Sequence, residues 1–298
     1  MSTEDYLRRK KALTIIAGFK CREGIILCAD TQETIGVSKR SIPKLVFEPA
    51  GRPHEGPALA VAFCGAGENG AFIDNLVESA WDDGKHGTTI DEVCEKIKKN
   101  IKSTYKDFGS IYQRGYCPTA NLIYGVKMQN ECRLFSASGP IVNKIREYDS
   151  FGVGQYMADF LAGRMYDNHL NLRQCAILAA YILFQAKEHV DGCGGESHIA
   201  VLRENGVSGL ANRRNIEAWT ELLRLSDREL GNVLIDAGDV GVESTEFLKR
   251  HRDLIALIDS LRTNKAAELY RGTKIHAAFI GSKTEDLDFF GLPLPSSS

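Results

Sequence analysis

Apolar and polar positions change their period several times along this chain. The runs TIIAGFKC (Thr14–Cys21) and GIILCAD (Gly24–Asp30) are short and rich in isoleucine, with Arg22, Glu23 and Gly24 at their junction. That pattern predicts a β-hairpin with a tight glycine-containing turn. Neither run alternates strictly, so both faces of the sheet are expected to be covered. KLVF (Lys44–Phe47) and ALAVAFCG (Ala58–Gly65) predict a second strand pair, joined by the proline- and glycine-rich EPAGRPHEGP. The period then becomes helical. Phe72, Ile73, Leu76 and Val77 predict a helix over Asn69–Ala80, and Val93, Ile97 and Ile101 predict another over Thr89–Tyr105. Thr89 or Thr88 caps the second helix, with Glu92 in the capping-box position if Thr89 is the cap.

Strand patterns return at Asn121–Met128, Cys132–Ser138 and Tyr148–Gly154. Helices follow near Gln155–Arg164 and Leu172–His189, and SHIAVLRENGVSGL reads as strand, turn at Asn205–Gly206, strand. The order is strands, two helices, strands, two helices, strands. Sequential hairpins build antiparallel sheets, and the helix pairs need an apolar face to cover. Two packed sheets with a helix layer outside each satisfy both demands. The expected fold class is therefore α+β, a four-layer αββα sandwich of two antiparallel sheets over about residues 14–212. Beyond it, Glu217–Leu225, Asp227–Asp236 and Thr245–Arg262 read as helices, and KIHAAFIG as one more strand before a polar tail. Residues 213–298 are thus expected to form a helical C-terminal extension, and residues 1–13 a propeptide or N-terminal extension.

Composition narrows the function classes. The chain has 298 residues, 43% hydrophobic and 26% charged, with a net charge of -2, so it has ample material for a core. It carries no basic stripe interleaved with aromatics, which speaks against a nucleic-acid partner. No apolar stretch is long enough to span a bilayer, so no membrane partner is expected. MSTEDYLRRKKAL lacks the apolar centre of a secretory signal. The eight cysteines are scattered, several within apolar runs (Cys28, Cys64, Cys175), and read as reduced thiols of a cytoplasmic protein.

Four places carry candidate chemistry. GAGENG (Gly65–Gly70) matches the glycine pattern of a dinucleotide site, yet the next element is a second helix rather than the strand of a βαβ unit. What remains is a strand ending at a glycine near a helix N-terminus, where backbone N–H groups can receive an oxyanion. Lys44 enters an apolar strand directly after Pro43. Taken alone it reads as a lysine snorkelling at a strand end. Asp30 closes an apolar strand, and a partly desolvated lysine needs such a carboxylate to stay charged. Thr14 opens the first strand, where a β-branched residue is ordinary.

Taken together, these residues resemble the proteasome beta-subunit family, whose fold is that of N-terminal nucleophile (Ntn) hydrolases. Thr14 opens TIIAGFKCREGIILCAD, Gly24 is the hairpin glycine, Asp30 ends the second strand and Lys44 opens the third. Gly65 ends the fourth, in AFCGAGENGAFIDNLVE. SASGPIVNKIREYDSFGVGQ and VDGCGGESHIAVL are similar to later family segments, and the resemblance covers about residues 14–203. It implies that Thr14 is the catalytic nucleophile, that Asp30 holds the Lys44 ammonium beside the threonine oxygen, and that the Gly65 N–H receives the oxyanion. It also implies a supporting role for Asp191 and Cys193, and a primary side-chain pocket floored by Phe63, favouring small or medium apolar residues. The implied activity is threonine-type peptide-bond hydrolysis without a cofactor or metal. The implied partners are a peptide or unfolded-protein substrate, a ring homo- or hetero-oligomer, and a regulatory or unfoldase partner.

The chemistry further requires Thr14 to become the first residue. Its α-amino group, with a reference pKa of about 7.7–8.0, then serves as general base. The chain departs from the family pattern at three points. Leu13 stands where glycine is usual, Val153 replaces the serine of a G-S-G turn, and Asp191-Gly192-Cys193-Gly194-Gly195 is one residue shorter than D-x-x-S-G-G. These departures favour an alternative, a noncatalytic structural subunit of the same fold that keeps residues 1–13.

Overall fold

The structure is a computed structural model describing residues 14–35, 38–50, 59–67, 69–111, 118–239, 241, 243–263 and 289–292. These residues form two compact units that divide between Ala211 and Asn212. The mixture of antiparallel sheets and six helices among the described residues is α+β.

The first unit holds two five-stranded sheets. One has the order β10-β1-β2-β11-β12, formed by β1 (Ile15–Cys21), β2 (Gly24–Asp30), β10 (Tyr148–Gly152), β11 (Ser197–Arg203) and β12 (Gly209–Leu210). The other has the order β5-β6-β7-β8-β9, formed by β5 (Leu45–Ala50), β6 (Leu59–Gly67), β7 (Ala120–Met128), β8 (Glu131–Ser138) and β9 (Ile141–Ile145). Every pairing is antiparallel. The GAGENG segment therefore does not sit in the parallel βαβ unit that a dinucleotide site requires. β2 is buried at all seven positions, as its unbroken apolar run predicts.

Each sheet has two covered faces. Ile16, Ile25, Leu27 and Leu202 of the first sheet share one apolar cluster with Leu45, Ala62, Ile123 and Leu134 of the second. The opposite face of the second sheet, with Val61, Phe63, Leu122 and Tyr124, is covered by α1 (Gly70–Gly84) and α2 (Ile90–Ile111). α3 (Gln155–Met165) and α4 (Leu172–His189) pack on the first sheet, α4 against β1, β2 and β11. α4 starts with a full capping box between Asn171 and Gln174. The cap of α2 is divided instead. Thr89 Oγ1 accepts the Glu92 N–H at 3.2 Å, while the Glu92 carboxylate reaches back to the N–H and hydroxyl of Thr88.

Three differences from the sequence reading have physical causes. A small hairpin, β3 (Gln32–Ile35) with β4 (Ser38–Ser41), stands between two expected strands where the sequence pattern predicts no element; β4 is exposed at all four positions, so no burial period marks it. β9 is likewise short and mostly exposed. In the second unit, the two helices expected on either side of Ser226 form one helix, α5 (Arg213–Ala237), within which the Ser226 hydroxyl is accommodated by bonding the Leu222 carbonyl one turn back instead of competing for the backbone as a break. α6 (Ser244–Arg262) follows. Trp219 of α5 is fully buried and stacks on Phe289 with ring centroids 4.5 Å apart. KIHAAFIG and residues 1–13 lie outside the described residues.

Candidate active site

The site assembles at the ends of three strands. Thr14 precedes β1, Asp30 ends β2, and Lys44 precedes β5. The pairing of Ile15 with Gly152 seats Thr14 beside the turn that follows β10. Gly152 has φ of 102°, and a Cβ there would lie 2.1 Å from the Thr14 carbonyl oxygen. Only glycine permits this approach. The Gly154 N–H then donates to the Thr14 carbonyl at 3.2 Å, fixing the residue from its backbone.

The side chains of Thr14, Asp30 and Lys44 converge. The Thr14 hydroxyl donates to Asp30 Oδ1 at 2.5 Å and accepts from Lys44 Nζ at 2.6 Å. Lys44 Nζ also donates to Asp30 Oδ1 at 2.8 Å and to the Gln32 carbonyl. The three donors of an ammonium thus meet three acceptors. Asp30, with no exposed side-chain surface, accepts in addition the Ile15 N–H at Oδ1 (3.2 Å) and the Gly194 N–H at Oδ2 (2.9 Å). Burial lowers the pKa of Lys44, and the charge and hydrogen bond of Asp30 pull it back up.

The remaining candidates are placed less directly. The Gly65 N–H donates to the Lys44 carbonyl at 2.9 Å, so it is already engaged beside the cluster. A Cβ at Gly65 would lie 2.3 Å from Ile73 Cγ2, which explains the glycine by packing with α1. The Cys193 thiol lies close to Gly154, where a Cβ would be 3.0 Å from its sulfur. Burial and the Asp30 charge push this thiol up to about 12 against the opposing pull of Lys44, so it is no thiolate at neutral pH. Asp191 is exposed, and the residue three places before Cys193 is the buried Val190. Phe63 is 1% exposed and stacks on Tyr124 at 5.7 Å, turned with Val46 to the helix-covered face.

Sequence reasoning missed two contributors. Gly194 acts through its main chain, and Thr31 is a buried hydroxyl directly after Asp30. GESH, a turn that leads straight into a strand, marks the loop but not the atoms that matter.

The fold defines a class before it defines a protein: hairpin-built antiparallel sheets with a threonine, a lysine and an aspartate at converging strand ends. Solved structures of Anbu share that fold. Anbu from Pseudomonas aeruginosa, described as a helical assembly, matches with a TM-score of 0.59 and 13% identity over 78% of this chain and 99% of its own. Anbu from Yersinia bercovieri, described as an ancestral beta-subunit, gives 0.57 and 15% over 77% of this chain and 100% of its own. Anbu from Hyphomicrobium sp. strain MC1 gives 0.55 and 18% over 72% and 97%. At these identities the likeness is one of fold. No protein-family model matches the chain, and no curated protein matches it by sequence. No helix among the described residues is long and apolar enough to cross a membrane.

Proposed function

We propose that the chain is a proteasome beta-subunit-like hydrolase of the four-layer Ntn fold, with Thr14 as the nucleophile. The observation that carries this reading is the contact of the Thr14 hydroxyl with both Lys44 (2.6 Å) and Asp30 (2.5 Å) in a nearly closed site. Lys44 has all three donors engaged, so it stabilises negative charge on the threonine oxygen rather than removing its proton. The base is then the α-amino group of Thr14 itself, once the Leu13–Thr14 bond is cut.

That cut uses the same atoms. The Thr14 oxygen bonds to the Leu13 carbonyl carbon, the C–N bond breaks, and the hydroxyl proton passes to the departing nitrogen. Water then hydrolyses the ester and releases residues 1–13. On peptide substrates the free amine takes the hydroxyl proton and returns it to the leaving amine, and water releases the acyl group. Gly65 is the oxyanion donor in this scheme, and it must share its N–H with the Lys44 carbonyl. Cys193 and Asp191 take the supporting places. Substrates are peptides or unfolded proteins, delivered to an oligomer in the cytoplasm with an unfoldase or regulatory partner. The helical assembly described for Pseudomonas aeruginosa Anbu is compatible with such an oligomer.

One observation favours a structural subunit instead: the Gly65 N–H is already bonded to Lys44. Intact mass after assembly separates the readings. Loss of residues 1–13 supports the hydrolase, and a full-length chain supports the structural subunit.

A further inference from the structure

Thr31 is 1% exposed and lies outside the catalytic set, yet it joins two segments that meet at Lys44. Its hydroxyl oxygen accepts the Glu196 N–H at 2.7 Å and the Ser41 hydroxyl at 2.8 Å. Its backbone N–H donates to the Glu196 carbonyl at 3.1 Å, and its carbonyl accepts the Ile42 N–H at 2.8 Å. The neighbour on one side, Asp30, accepts the Gly194 N–H; the neighbour on the other, Gln32, donates its N–H to the Gly194 carbonyl at 3.0 Å. Asp30 and Gln32 are also the two residues besides Thr14 that accept from Lys44 Nζ.

Ser41 and Ile42 stand just ahead of Lys44, separated from it only by Pro43, whose ring fixes φ. Anchoring Ser41 and Ile42 on Thr31 therefore fixes where the Lys44 side chain starts. The Gly65 N–H to Lys44 carbonyl bond holds the other side. The seat of the hydroxyl is built tightly. Gly195 has φ of 71°, and a Cβ there would lie 2.5 Å from Thr31 Oγ1.

We propose that Thr31 is a positioning residue that sets the lysine of the reactive centre. Its hydroxyl clamps the Gly194–Glu196 loop to the segment leading into Lys44, so that the ammonium is held buried against Asp30, Gln32 and Thr14. The functional consequence rests on the hydrolase reading, whereas the placement of the amine does not.

The test reads the amine itself. The pH profile of Lys44 acetylation by trace acetic anhydride, followed by peptide mass spectrometry, gives the midpoint of its titration. In the wild type, burial holds that midpoint below the ordinary lysine value. Thr31→Val keeps the shape and the backbone bonds but removes the hydroxyl. The Lys44 midpoint should then rise toward about 10.4, the value of a solvated lysine. Thr31→Ser restores the acceptor and should restore the wild-type midpoint. Ser41→Ala, on an exposed residue, removes a single donor and should move the midpoint in the same direction by less, which keeps the test available if Thr31→Val does not fold. An unchanged midpoint in Thr31→Val or Ser41→Ala, or a Thr31→Ser midpoint matching Thr31→Val, overturns the proposal. The mass of each variant is recorded alongside. A shifted midpoint in Thr31→Val, with residues 1–13 retained in the wild type as in the variant, supports the positioning role and counts against the hydrolase reading instead.

Discussion

Asp30→Asn is the perturbation that most directly weighs the buried pair. The substitution keeps the size of the side chain and removes its charge. Asp30 has no exposed side-chain surface, and its Lys44 partner is 9% exposed, 2.8 Å away. Lys44 loses its only carboxylate partner in the cluster. An asparagine that keeps its oxygen toward Thr14, Lys44 and Ile15 turns its NH2 toward the Gly194 N–H, setting donor against donor. Breaking a buried pair by removing one partner costs about 3–5 kcal/mol. For a unit of about 200 residues, such as the one that holds the pair, that is a drop in Tm of roughly 6–20 °C. Removing both charges in Asp30→Asn/Lys44→Met should recover most of the loss, because the uncompensated charge is gone. The loss should also depend on pH. Burial holds Lys44 below its usual value of about 10.5, so folding disfavours the protonated amine. That penalty is complete below the folded pKa and lifts as pH rises from there toward about 10.5. Without Asp30 the folded pKa falls further, so the gap between variant and wild type is widest at neutral pH and narrows in the alkaline range. Thermal and urea melts of the two single variants and the double variant measure the cycle. A loss for Asp30→Asn below about 1 kcal/mol, the level of an exposed ion pair, would refute the reasoning.

Two further substitutions probe the surroundings. Gly152→Ala should cost about 1–3 kcal/mol and, on the hydrolase reading, slow removal of residues 1–13, because its Cβ would meet the Thr14 carbonyl at 2.1 Å. Gly139→Ala, also at positive φ but with open space around it, should cost only the backbone strain and leave processing unchanged; equal processing in both variants would remove the steric explanation. Tyr124→Phe should be neutral or stabilising by about 1 kcal/mol in urea melts, since the buried Tyr124 hydroxyl has no hydrogen-bond partner among the described residues, and a loss of more than about 1 kcal/mol would show that the hydroxyl is satisfied after all.

Strand and helix positions with a strong burial period were legible in the sequence. β2 ends on Asp30 and α4 runs from Leu172 to His189 as the apolar pattern predicts. Elements without a buried face were not. β4 and β9 have mostly exposed residues, and Ser226 reads as a helix break although its hydroxyl bonds inside α5. Asp30 and Lys44 were legible as a pair because each stands where an apolar strand begins or ends, whereas Thr14 joined them only through the resemblance to the proteasome beta-subunit family. The support of the cluster was not legible, because Gly194 contributes a backbone N–H from 164 residues away and Thr31 looks like any strand-end threonine. The Gly65 to Lys44 bond was equally hidden, since a strand pattern gives pairing partners without saying which N–H groups remain unbonded.

Intact-mass spectrometry of the assembled protein tests the nucleophile most directly. The wild type, Thr14→Ala and Lys44→Ala would be purified identically and measured after assembly. The hydrolase reading expects the wild type to lose residues 1–13 and begin at Thr14, while both variants stay full length. Three full-length chains, or cleavage before position 14 in Thr14→Ala, would contradict it.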